Sequence, residues 1–305
     1  MKIISSTIYL TFALLAFACC AFLPTAQAVV PPPDGGYPNF TTAEGTKALF
    51  SLTSGSANTA VGCFSLFSNT EGSFNTATGA GALIFNTGDE NTAFGTASLL
   101  FNTIGSNNTA IGTVALLNNT TGSENTATGV EALKDDTTGV DNTATGFRGL
   151  MSNTSVDNTA NGANALQNNT TGSNNTAIGS QALSFNTEGS GNTATGGSTL
   201  FSNTTGDFNT ASGDEALFTN TTGTQNTATG AAALTSNTSG FGNTATGFQA
   251  LLNNSTGNLT RPPVFLRFRA TPPATSTSPP VNRRSITIRR ATRTLRWALA
   301  HFLTT

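Results

Sequence analysis

From Thr41 to Leu259 the apolar positions return in a single unit, NTAxGxxALxxNTTGxx. With its first Asn as place 1, Asn-Thr-Ala starts at Asn58, Asn75, Asn91, Asn108, Asn125, Asn142, Asn158, Asn175, Asn192, Asn209, Asn226 and Asn243. The step is 17 residues, except for two steps of 16. A worn copy, Thr41-Thr42-Ala43-Glu44-Gly45 with Ala48-Leu49, comes one step earlier. Thr, Ala and Gly at places 2, 3 and 5 and Leu at place 9 occur in all twelve copies. Place 8 is always small, and the Asn of place 12 is lost once, to Asp136. A fixed period of this length predicts a stacked array in which each unit leans on its neighbours.

Helix pairs need about 33 residues or more per repeat, and Gly, Asn and Thr are poor interior helix formers. Seventeen residues instead fit one coil of a β-solenoid, with two short strands and two turns. Thr outward, Ala inward, the next residue outward and Gly inward follow the period of two of a strand. Gly at place 5 permits a tight bend where a side chain would clash. Leu at place 9 fills the coil, worth about 2 kcal/mol for each buried side chain. Asn repeated at fixed turn places can stack as amide ladders between coils. Both 16-residue copies lose the residue just after the second Asn-Thr, which marks a turn that tolerates deletion. The expected fold is all-β, a parallel β-solenoid of about twelve 17-residue coils with an irregular C-terminal tail. At about 4.8 Å per coil, twelve coils span roughly 58 Å.

Such a coil has a thin core, so lateral partners are expected. Phe follows the Leu by one or two places at Phe67, Phe85, Phe101, Phe185, Phe201 and Phe218. Val61, Phe94, Ile111 and Ile178 precede the Gly of place 5. If exposed, these rows form apolar patches that monomers usually avoid. The alternative is that some of them point inward beside the Leu.

The repeat resembles the head region of the trimeric autotransporter adhesins, the YadA-like family. Asn58-Thr59-Ala60-Val61-Gly62 and Asn108-Thr109-Ala110-Ile111-Gly112 match its Asn-Ser/Thr-Val/Ala-x-Gly core. The resemblance covers Thr41 to Leu259 and implies a left-handed β-roll, three chains packed side by side, and attachment to surfaces. Similar repeats occur in phage tail-fibre-like proteins. This unit is longer than the usual one of the head family, and no heptad stalk or membrane-anchor strands follow the repeats. The family's binding residues therefore have no matching positions here.

The ends of the chain differ from the repeats. Lys2, an apolar run from Ile8 to Leu23, Pro24 and Ala26-Gln27-Ala28 read as a secretory signal, residues 1–28. The run is 16 residues, shorter than the roughly 20 of a membrane span. Cys19 and Cys20 stand three residues after Ala16 and Phe17, where a lipoprotein signal prefers Leu. Cleavage after Ala28 leaves Cys63 as the single cysteine, so no internal disulfide forms. Residues 29–40, with Pro31-Pro32-Pro33 and Gly35-Gly36, read as a linker. The reading implies a secreted or cell-surface protein with no membrane insertion of the mature chain.

Residues 260–305 form a basic tail with nine Arg and no acid. It could be an arm for nucleic acid or acidic lipid, but the genetic code favours a frameshifted repeat. Ala270 to Pro279 can be encoded so that reading from each third base gives Asn-Thr-Thr-Gly-Asn-Phe-Asn-Ile-Ala. In that frame Asn-Thr-Ala or Asn-Ile-Ala can start at positions 260, 277 and 294, continuing the step from Asn243. Trp297 is TGG, and its last base with the GC of Ala298 forces Gly where the unit needs it.

Charge and chemistry then narrow the function. The formal charge of −2 averages −11 over Thr41 to Leu259 and +9 in the tail. The acidic repeats suit a soluble extracellular rod and give no reason to expect nucleic acid as partner. His301 is the only His, which leaves no Ser/His/Asp set in the repeats. Asp89-Glu90, Asp135-Asp136 and Asp214-Glu215 fall at different places of the unit and read as solvated turn residues. Their irregularity also departs from calcium-binding solenoids. The sequence thus names no catalytic, cofactor or metal residue and describes a non-enzyme whose expected partner is itself, as a homotrimer, with host or environmental surfaces beyond. Two other readings stay open. A phage-type fibre fits the repeat but not the export signal, and ice binding fits a Thr-x-Thr ladder that holds in six of the twelve copies.

Overall fold

The computed structural model describes residues 38–260. The signal, most of the linker and the basic tail lie outside them. A 3-10 turn, Pro38–Phe40, precedes the first coil, and Asn39 accepts the Ala57 N–H across 2.8 Å. Thirteen strands follow: β1 (Thr42–Glu44), β2 (Thr59–Val61), β3 (Thr76–Thr78), β4 (Thr92–Phe94), β5 (Thr109–Ile111), β6 (Thr126–Thr128), β7 (Thr143–Thr145), β8 (Thr159–Asn161), β9 (Thr176–Ile178), β10 (Thr193–Thr195), β11 (Thr210–Ser212), β12 (Thr227–Thr229) and β13 (Thr244–Thr246). They form one parallel sheet in sequence order. The register places like on like, with Thr59 opposite Thr76 and Ala60 opposite Ala77. The chain is a β-solenoid, as the period requires.

Each strand is three residues long and buries only its central Ala. The core repeats that Ala, the small residue of place 8 and the Leu of place 9 along the whole stack. Leu66 through Leu234 are fully buried. Thirteen such coils stack these side chains into one continuous, narrow column.

The second strand expected in each coil does not form. Place 9 instead adopts left-handed backbone, with φ between 49° and 54° for every Leu, and place 7 is left-handed as well. A bulky residue in this region costs about 1–2 kcal/mol. The compensation is inter-coil hydrogen bonding that continues around these corners. Leu66 N–H donates to Ala82 across 3.0 Å, and Phe64 N–H donates to Thr46 of the preceding coil across 2.9 Å. The corners let a 17-residue coil return over its own start with only three residues extended.

Place 5 shows why only Gly occurs there. Gly112 has φ +137°, and a Cβ on it would lie 2.5 Å from the Gly129 carbonyl oxygen of the next coil. Left-handed backbone and direct coil-to-coil backbone contact coincide at this place.

Candidate functional site

Four faces of the coil carry side chains with distinct chemistry. Inside, the Asn of places 1 and 12 converge on one carbonyl. Asn108 and Asn119 Nδ2 both donate to Gly122 O, each across 2.9 Å. Each amide also reaches the coil before it: Asn108 Nδ2 to Asn91 Oδ1 at 3.1 Å, and Asn119 Nδ2 to Asn102 Oδ1 at 2.6 Å. Two amide ladders thus run through the interior with every donor pointing toward the N-terminus. They satisfy polar groups that would otherwise cost about 1–3 kcal/mol each when buried.

Two further ladders were not anticipated. The Thr of place 13 donates its hydroxyl to the place-13 carbonyl of the next coil, as Thr103 does to Thr120 across 2.7 Å. Ser or Asp at place 16 accepts the backbone N–H of the preceding coil, as Ser123 does from Ser106 and Asp207 from Ser190. The signal for both was present in the repeated Thr of place 13 and in the Ser and Asp of place 16. Without coordinates they resemble ordinary turn polarity.

The ladder at place 12 leaves three amide oxygens without a partner, those of Asn69, Asn119 and Asn237, and one coil carries an acid there. Asp136 is fully buried there, the one acid so placed among the described residues. This corrects its reading as a solvated turn residue, while Asp89, Glu90, Asp214 and Glu215 are indeed exposed. Its Oδ1 accepts the Gly139 N–H at 2.7 Å and its Oδ2 accepts Asn153 Nδ2 at 3.2 Å. A carboxylate has no N–H to give to Asn119, whose Oδ1 is left without a hydrogen-bond partner. Burial pushes the Asp136 carboxyl up to about 6, against the lowering effect of its hydrogen bonds to Gly139, Asn153 and Thr138.

On the strand face, place 2 presents thirteen Thr in register, one per strand, each exposed or half-buried. Place 4 stands beside it and varies. Val61, Phe94, Ile111 and Ile178 are exposed there, with Phe94 and Ile111 opposite one another on β4 and β5. From β10 to β13 place 4 reads Thr195, Ser212, Thr229 and Thr246. The N-terminal part of this face is therefore apolar in patches and its C-terminal part is hydroxylic throughout.

The phenylalanines after the Leu lie outside the core, which contains only Ala and Leu with small residues at place 8. They stack along the solenoid axis instead. Phe85 and Phe101 lie 5.8 Å apart with planes 5° from parallel, and Phe201 and Phe218 lie 5.0 Å apart at 4°. Phe185 meets Phe201 edge-on at 4.9 Å. Stacking leaves Phe67, Phe101, Phe201 and Phe218 half-buried, whereas Phe94 on the strand face has no ring neighbour and is 59% exposed. At the N-terminal end Lys47 Nζ sits 5.5 Å from the Phe64 ring centre and 5.7 Å from that of Phe50. Arg148 pairs with Glu131 at 2.6 Å.

Among the described residues no group of three or more His, Cys, Asp or Glu is arranged to hold a metal ion. Over the described residues the surface offers ladders, rows and a shallow groove. No protein-family model matches the chain, and neither a curated protein nor a solved structure matches it.

Proposed function

We propose that this β-solenoid, a repetitive structural protein, works as an exported adhesin-like rod that associates into a homotrimer. The observation that carries the reading is the apolar part of the strand face. Val61, Phe94, Ile111 and Ile178 are exposed at 39%, 59%, 42% and 43% on the parallel sheet. Scattered apolar side chains are normal on a surface. Here they fall on one line of the sheet, with Phe94 and Ile111 on adjacent strands, and a second copy presents the same patches at the same spacing. The likeness of Asn108 to Gly112 to the trimeric autotransporter heads supports the same number of chains. The acidic balance of the repeats supports an extracellular setting.

Light scattering of the full chain tests the assembly: a mass of three chains is expected, and a monomer across the concentration range refutes it. N-terminal sequencing of protein recovered from the medium tests export, with Val29 the expected first residue.

A second reading is ice binding, favoured by the unbroken Thr row at place 2 and by hydroxyls at both outward places of β10 to β13. Hydroxyl and methyl groups fixed at strand spacing can order water on a flat lattice. Thermal hysteresis of the full chain would reveal it, and its absence removes this reading while leaving the rod intact.

A further inference from the structure

A groove of about 810 Å³ opens along places 11 and 13 of four successive coils. Its first end is the stacked ring pair Phe85 and Phe101, the former 44% exposed. Its second end is Asn118, whose Nδ2 donates to an Asp135 carboxylate oxygen across 3.0 Å. Thr103, Thr120 and Thr137 form the opposite wall. The Thr103 and Thr120 hydroxyl protons are committed to the carbonyls of Thr120 and Thr137, so these hydroxyls can meet a ligand as acceptors. Asn118 keeps a second N–H and its carbonyl oxygen, and Asp135 keeps its second oxygen. The groove therefore joins an apolar platform to a short run of donors and acceptors.

This combination departs from the repeat. Place 11 is Ser at Ser51, Ser68, Ser152, Ser202 and Ser236, and the described coils contain one aromatic pair followed by an amide–carboxylate pair. Place 11 bonds the next coil only in some coils, as Asn118 does to Asp135 and Asn168 to the Ser184 carbonyl, and five coils carry Ser there, so it is free to vary without unfolding the coil. The lining has no cationic side chain, which disfavours an anionic ligand. Asp135 lies two coils beyond Phe101, about 10 Å along the axis. That separation suits an extended ligand better than a compact cation held on ring and carboxylate together.

We propose that this groove binds a neutral oligosaccharide. A pyranose ring has an apolar C–H face that can lie on the Phe85–Phe101 platform. Its hydroxyls need neighbouring donors and acceptors, which Asn118, Asp135 and the three Thr supply. The groove is shallow and open along its length, which suits an extended chain lying on it. The proposal supplies a ligand class for the surface-attachment reading and does not require the trimer, since a single chain forms the whole groove.

Affinity electrophoresis of the full chain tests it, in native gels containing laminarin, hydroxyethylcellulose, mannan, galactomannan or arabinoxylan, with heparin as an anionic control. At least one neutral polysaccharide is expected to retard the protein. The Phe85→Ser/Phe101→Ser double variant carries the residue that other coils have at this place, so it is expected to keep the wild-type circular dichroism and melting curve. Its apparent affinity is expected to fall about 10-fold, the loss of two ring contacts. Asp135→Ser is expected to weaken binding without altering the fold. Migration unaffected by all five polysaccharides overturns the proposal, and so does equal retardation of the double variant or retardation by heparin alone. A glycan-binding monomer would refute the trimer and leave the groove assignment standing.

Discussion

Replacing Asp136 by Asn removes the one acid buried in the amide ladder among the described residues. In the folded chain the Asp136 carboxyl is pushed from 3.8 up to about 6, first by burial, with its hydrogen bonds acting in the opposite sense. A carboxyl raised in the folded state contributes stability that is complete below its unfolded value and is lost as pH rises through the folded one. Between about pH 4 and pH 6 the unfolded chain ionises while the folded chain holds the proton. Above pH 6 the folded chain must carry a buried carboxylate beside the unpaired Asn119 Oδ1. The loss across this interval is about 3 kcal/mol. Asn at this position does not titrate, and its Nδ2 can donate to Asn119 Oδ1 and to Gly139 O, as the equivalent amide of Asn119 does one coil earlier. Restoring a partner to the orphaned oxygen adds about 1 kcal/mol while Asp136 is ionised, since the protonated carboxyl has an O–H of its own to give to Asn119. Asp136→Asn is therefore expected to stabilise the protein by about 4 kcal/mol at pH 7.5 and to leave stability near pH 3.5 almost unchanged. A repeat array need not unfold in one step, so the assay is amide hydrogen exchange by mass spectrometry. Peptides from residues 125–157 are compared with a distant internal control, residues 209–240. A gain of the same size at both pH values would refute the reasoning, because the carboxyl would then not be titrating inside the ladder.

Three other substitutions and one nucleotide measurement probe the rest. Leu116→Ala removes a fully buried side chain from the column, and an expected cost of about 2–5 kcal/mol should appear as faster exchange in its own and adjoining coils. Gly112→Ala forces a side chain into left-handed backbone against the Gly129 carbonyl; the backbone strain alone costs about 1–3 kcal/mol, read as a lower melting temperature. Gly197→Ala is the contrast, since its φ is not left-handed and its new Cβ would meet only the end of the Asp214 side chain. Ala already stands at this place in Ala80, Ala163 and Ala231, so stability is expected to stay level or rise by about 0.4–1 kcal/mol. Sequencing the gene from Asn258 onward should show codons that spell the repeat in the shifted frame, and any other codons there end the frameshift reading.

Most of the solenoid was legible because a repeat compares itself with itself. Ala60, Leu66 and Gly62 recur at fixed places, and invariance across copies marks the positions that face the stack. The second strand was misread for a physical reason. Alternation lasts only from place 2 to place 5, and the rest of the coil was assigned to strand by length alone. Left-handed Leu is rare enough that no local preference announces it. It persists because the hydrogen bonds to the coils above and below hold the corner. Asp136 was misread because acidity was weighed before place. Its position in the ladder, not its charge, decided that it would be buried.

The same comparison explains why the surface was less legible than the fold. Apart from the Thr of place 2, positions that every copy shares serve the axis: they make the core, the ladders and the turns. Recognition confined to a few coils must come from positions where the copies differ, because a shared position cannot distinguish one coil from the next. Phe94 and Ile111 on the strand face, and Phe85, Phe101, Asn118 and Asp135 on the corner, are such departures. In one dimension they are isolated exceptions at scattered positions. Stacking brings residues 16 or 17 apart in sequence to neighbouring coils about 4.8 Å apart, and only then do exceptions at one place become a row or a groove. A substitution at place 11 should therefore change recognition while leaving the column intact, and one at place 9 should do the reverse. Measuring both on the same protein, Phe101→Ser for binding and Leu116→Ala for exchange, separates the two roles. If Phe101→Ser destabilises the column as much as Leu116→Ala does, the division between axis and surface fails.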